Sequence, residues 1–235
     1  MTHAGRAWAV AVGMLVPGVA LAHAPSELAK QRMLEGNLVD VAWLGADHML
    51  TGYDHLLFLL GVLFFVTRWQ QVVAFITAFT LGHTLVLLTA TPMGIRANPH
   101  VIDAVIALTV IYKAFENLDG FRRYLGFATP PLLPMIFLFG LIHGFGLSTR
   151  LQEMALTSDP RFFAKIIAFN VGVELGQIAA LGAMGVVLLL WRHTPGWQRF
   201  ARIVNTALVV CGAALFAGQI AALIFTPAQA RQETV

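Results

Sequence analysis

Charge is what this sequence has least of: Asp, Glu, Lys and Arg make up 11% of its 235 residues, against roughly 25% in a soluble domain. Too little polar surface exists to coat a globule in water, which excludes an ordinary soluble fold and makes the bilayer the expected solvent. Cysteine is nearly absent. The single Cys211 lies in the last apolar run, so neither an intramolecular disulfide nor a thiolate metal cage can form. Tyrosine is scarce, 3 residues against 17 Phe, and the apolar residues come in long runs, not in the alternating pattern of an outer-membrane barrel. No basic stripe occurs either. The formal net charge of +3 comes mostly from Arg at the ends of apolar runs, as in loops beside anionic lipid, so nucleic acid is not an expected partner.

What is present is hydrophobic length. Hydrophobic residues make up 58% of the chain and mean hydropathy is +0.75, which predicts an all-α, polytopic transmembrane bundle. Residues 1–22 combine Arg6, an apolar stretch from Ala7 to Leu15, a Pro17-Gly18 break and Ala20-Leu21-Ala22. That is the pattern of a cleavable signal peptide, whose removal would leave His23 at the N-terminus. Residues 23–46 mix charged and apolar positions and read as a partly helical segment at the outer interface. A membrane domain at 47–226 and a short polar tail at 227–235 complete the chain. Within the domain six spans are expected, near 48–67, 71–91, 100–118, 131–150, 162–191 and 202–225, each close to the ~20 residues that a bilayer core requires. The signal peptide implies a cytoplasmic membrane with the mature N-terminus outside. Association into a homo-oligomer stays open.

Ionisable side chains inside spans cost at least ~2.5–3.5 kcal/mol each on insertion scales, so each needs a partner or a function. This chain holds many: Asp47, His48, Asp54 and His55 open the first span, His83 lies in the second, Asp103 begins the third, His143 lies in the fourth, and Asn170, Glu174 and Gln177 lie in the fifth. With the N-terminus outside, counting ~1.5 Å per residue brings His55, His83, His143, Asp103, Asn170 and Glu174 to one outer-half layer. His48 and His55 share a helix face but lie ~10 Å apart along a regular helix, so they can hold one ion only if the helix breaks at Gly52. Two tiers of ligands are therefore expected. Imidazoles with carboxylates and amides, without thiolates, suit a borderline divalent ion such as nickel, cobalt, zinc or copper. Asp54 or Asp103 would fix a histidine tautomer as a hydrogen-bond acceptor.

Other features read as structural. Gly140, Gly144, Gly172 and Gly176 form two small-xxx-small patterns that predict close helix packing. Lys113 and Glu116 read as a snorkelling residue with a local partner. Together with Gln219 they are the only candidates for polar groups in the dry inner halves, while His100 and His193 sit at loop edges and are discounted.

Four motifs occur in order: His48-x5-Asp54-His55 before an apolar run, Phe79-Thr80-Leu81-Gly82-His83-Thr84, Phe139-Gly140-Leu141-Ile142-His143-Gly144, and Phe169-Asn170-Val171-Gly172-Val173-Glu174-Leu175-Gly176-Gln177. Over about residues 40–225 the chain resembles the HupE/UreJ family of bacterial membrane proteins. The resemblance implies metal uptake, with nickel or cobalt as the cargo, and places metal roles on His48, Asp54 and His55. Nickel permeases of this name carry two histidines where this chain has only His143, so the pattern is that of a divergent second branch.

The leading expectation is a permease for a divalent transition metal, nickel first, that binds on His55, His83, His143 and Glu174 with His48 at the mouth. Asp47, Asp103, Asn170 and Gln177 would support these ligands. No Walker motif occurs, so no ATP-driven step is expected. Two alternatives stand beside it: an intramembrane metal-dependent hydrolase with a zinc-bound water, and a metal-binding accessory protein without transport.

Overall fold

The computed structural model describes residues 27–64, 66, 68–153, 159–192 and 194–225; the predicted signal peptide, His23 and the polar tail lie outside them. Every regular element among the described residues is helical. In chain order these are α1 Glu27–Glu35, α2 Leu38–Thr51, α3 Tyr53–Leu63, α4 Trp69–Thr89, α5 Pro99–Asn117, a π-helical turn Phe121–Leu125, α6 Leu132–Glu153, α7 Phe162–Arg192 and α8 Trp197–Phe225.

Helices α4, α6, α7 and α8 are long and apolar enough to cross a bilayer. Helix α5 has 19 residues but carries Asp103, Lys113 and Glu116. The region expected to be the first span is two helices, because Gly52 leaves helical geometry with φ −70° and ψ 99°. Helix α2 also begins earlier than hydropathy predicts, at Leu38, where Asn37 caps it: the Asn37 side chain accepts from the backbone N–H groups of Val39 and Asp40, and Asp40 accepts in return from Asn37 N–H. Such a reciprocal cap satisfies otherwise orphaned donors.

The bundle is built from three intimate pairs, α2 with α7, α4 with α6 and α5 with α8, with α3 set between α5 and α7. Small residues permit this closeness. A methyl built on Gly172 would overlap the Ala42 carbonyl, and one on Gly140 would overlap the Phe79 carbonyl. Without a hydrophobic difference between lipid and side chain, such backbone proximity is what drives helix association in membranes. The small-xxx-small faces thus hold α7 against α2, which carries His48, and α6 against α4, which carry His143 and His83.

At the start of α7, Lys165 is fully buried; it donates to the Leu34 carbonyl at 2.6 Å and pairs with Asp159. Asp159 also accepts from the Arg161 N–H at 2.7 Å. These bonds, the Lys165 one foremost, hold the Asp159 carboxyl below the usual carboxylate range.

Candidate metal centre

The break at Gly52 decides the geometry of the centre. It turns α3 relative to α2, so the His48 and His55 rings lie 5.0 Å apart between centroids. The two tiers expected from a regular helix collapse into one group. On the far side of His55, the His143 ring of α6 lies at 4.9 Å. The three rings form a chain from half-buried His48 through His55 to His143, which is 2% exposed. His83 of α4 is buried beside them and stacks on Phe79, whose ring is also 5.2 Å from His143.

Hydrogen bonding fixes the tautomer of three rings. Asp54 Oδ1 lies 3.0 Å from His55 Nδ1; a carboxylate only accepts, so Nδ1 carries the proton and Nε2 keeps its lone pair. Asn170 Oδ1 lies 2.9 Å from His83 Nδ1, and the Asn170 amide is oriented by donation from Nδ2 to the Ile166 carbonyl at 2.9 Å. His83 Nδ1 is therefore the donor and Nε2 the lone-pair nitrogen. For His143 the partner is Thr109 Oγ1, 3.4 Å from Nε2; that hydroxyl gives its hydrogen to the Ile106 carbonyl at 2.7 Å. It can only accept from Nε2–H, which leaves Nδ1 bare. His143 Nδ1 is buried and has no hydrogen-bond partner.

An imidazole anchored through one N–H, with the other nitrogen holding a lone pair, is the arrangement that metal-ligating histidines adopt. Two imidazoles sharing a tetrahedral ion through ~2.0–2.1 Å bonds have centroids about 5 Å apart, so the spacings along the ring chain suit a shared ion. Among the described residues no three His, Cys, Asp or Glu side chains face one point as a closed ligand set.

The remaining sequence candidates divide. Gln177 is buried one layer away and accepts from Thr80 Oγ1 at 3.2 Å. Asp103 accepts from Arg150 Nη2 at 3.2 Å. Asp47 is exposed on α2. Glu174 does not join the rings: it lines an apolar groove of about 580 Å³ together with Arg68, Trp69, Ile178, Arg192 and Trp197. On α7 it shares that groove with Ile178, Leu181 and Gly185, whereas Asn170 and Gln177 bond to His83 and Thr80 of α4.

Beneath the imidazoles the bundle is dry. Phe58 packs on Phe79 and Phe139 at 6.0 and 5.5 Å, and Phe139 packs on Tyr112 at 5.3 Å. Past this layer Lys113 is fully buried, so it does not snorkel. Gln219 is not near it: its Oε1 meets His100 Nδ1 at 2.8 Å, at the opposite end of α5. Thr109 and Arg150 are the contributors that sequence reasoning missed. Thr109, Lys113 and Asn117 recur every four residues along α5, a polar stripe at helical period that was a visible signal.

A family sequence model described as HupE / UreJ protein matches residues 25–226. No curated protein and no solved structure matches the chain.

Proposed function

The chain belongs to the HupE/UreJ family, and on the geometry of its buried imidazoles we propose that it is a permease for a divalent transition-metal ion, nickel first and cobalt next, in a bacterial cytoplasmic membrane. The ion enters at half-buried His48, passes to His55 Nε2 and reaches His143 Nδ1, with His83 Nε2 as a further donor. Asp54, Asn170 and Thr109 hold the rings in the tautomers that leave these nitrogens free. The observation that carries this reading is the orphaned Nδ1 of His143, a buried lone pair beside His55. Left without a proton or a metal, such an atom loses the hydrogen bonding it would have in water.

Imidazole donors without thiolates suit nickel, cobalt, zinc or copper ions. The Phe58, Phe79 and Phe139 layer closes the path below the rings, so passage requires these helices to shift, as at a hydrophobic gate.

Uptake of radiolabelled nickel into cells expressing the wild-type protein or His55→Ala tests the reading. Loss of an anchored ligand is expected to lower uptake at least about tenfold, since even changes to residues that orient a ligand cost 10–100-fold. Equal uptake by the two proteins would refute it.

A further inference from the structure

On the far side of the aromatic layer lies a second polar group that the imidazole site does not use. Lys113 Nζ donates to Glu116 Oε2 at 2.8 Å, with side-chain exposures of 0% and 5%. Asn117 Nδ2 donates to the Gly61 carbonyl at 2.8 Å and to Asn205 Oδ1 at 2.6 Å, and Asn205 Nδ2 donates to the Ala201 carbonyl at 2.8 Å. Two oxygens here are buried without a hydrogen-bond partner, Asn117 Oδ1 and the Tyr112 hydroxyl. Glu116 lies one turn of α5 from both Tyr112 and Lys113, and Asn117 one turn from Lys113. The Tyr112 hydroxyl is within electrostatic reach of Glu116.

A buried ion pair is a poor stabiliser, because desolvating two charges offsets their attraction, and apolar replacements are often as stable or more so. Inside a membrane domain ionisable groups mark ion pathways by default. The position supports such a role: Thr109, which touches His143, is one turn of α5 from Lys113, ~6 Å along the axis. The two groups therefore lie on one line through the bundle, nitrogen donors first and oxygen donors after.

We propose that Glu116, Asn117 Oδ1 and the Tyr112 hydroxyl form a second, weaker station for the transported divalent cation, and that Lys113 occupies it between passages as a tethered competitor. This rests on the permease reading above. A carboxylate with neutral oxygens binds a borderline ion less tightly than clustered imidazoles do, which suits a site of release. The Lys113 ammonium keeps Glu116 neutralised while no ion is there and displaces an arriving ion onward.

The test is nickel binding by the purified full-length protein in detergent, measured by equilibrium dialysis against nickel chloride. Lys113→Met is expected to bind one more nickel per chain than wild type. That extra equivalent should persist in His55→Ala/Lys113→Met and vanish in Lys113→Met/Glu116→Gln. No gain in Lys113→Met, or a gain that survives Glu116→Gln, overturns the proposal. Should Lys113→Met fail to fold, the neutral pair Lys113→Met/Glu116→Gln decides through transport. It is expected to keep wild-type nickel binding at the imidazoles while uptake falls at least tenfold, and full uptake overturns the second station. Absence of uptake by the wild type would instead refute the permease reading, and the dialysis comparison would still report on Glu116.

Discussion

Replacing Asn170 by leucine removes one acceptor from the middle of the bundle and tests the tautomer argument directly. Asn170 and His83 are 4% and 1% exposed, so no water replaces the lost bond to His83 Nδ1. Leucine keeps the branching and heavy-atom count of asparagine while removing its hydrogen-bonding atoms. Two consequences are expected. The stranded N–H lowers the stability of the metal-free protein by about 1–3 kcal/mol, the usual penalty for a buried unsatisfied donor. His83 is also free to move its proton to Nε2, which turns the lone pair away from the other rings. Loss of such an orienting partner weakens metal binding 10–100-fold, about 1.4–2.8 kcal/mol in binding free energy. Isothermal titration with nickel and thermal melting of the metal-free protein measure the two separately. Asn170→Asp keeps an acceptor at this position and is expected to bind nickel more tightly than Asn170→Leu. Nickel affinity in Asn170→Leu equal to wild type would refute the claim that Asn170 orients a ligand.

A methyl on Gly52 would lie 2.7 Å from His55 Nδ1, 2.9 Å from the His48 carbonyl and 3.2 Å from Asp54 Oδ1. The backbone there is open to any L-residue, so Gly52→Ala is expected to keep its helix content by circular dichroism while nickel binding weakens through loss of the His55–Asp54 bond; unchanged binding would show that bond to be dispensable. The second expectation concerns pH. The folded Asp159 carboxyl sits below its unfolded value of about 4, so its bonds to Lys165 and Arg161 contribute fully above that value and are lost as pH falls through the folded pKa. Melting temperature should therefore fall more steeply on acidification below pH 4 in wild type than in Asp159→Asn, and parallel curves would contradict this.

Depth was legible from the chain; rotation was not. Counting residues from the ends of apolar runs placed His55, His83 and His143 at one level; the His55 and His143 rings lie 4.9 Å apart, and His83 is buried beside Phe79, which touches both. The same count placed Glu174 with them, but whether a side chain faces a partner helix or a groove depends on which neighbour claims which face of α7. Gly140, Gly144, Gly172 and Gly176 revealed the contacting faces without revealing which helices they would meet. The break at Gly52 was legible only as a condition, because a glycine permits a departure from helical geometry and packing decides whether it occurs. Lys113 read as a snorkelling residue since its partner Glu116 is local, yet only tertiary packing shows that both lie out of reach of solvent. Asp103 likewise found Arg150, the last residue of the expected fourth span, across the bundle.

The interruption at Gly52 also has an electrostatic side. Helix α2 ends there with the negative pole of its macrodipole, equivalent to about half an elementary charge. Helix α3 starts there with its positive pole, so the two backbone poles cancel. The net charge left at the gap between His48 and His55 is the carboxylate of Asp54 in the first turn of α3. That charge sits beside the rings and not on them, so it persists when any single imidazole is removed.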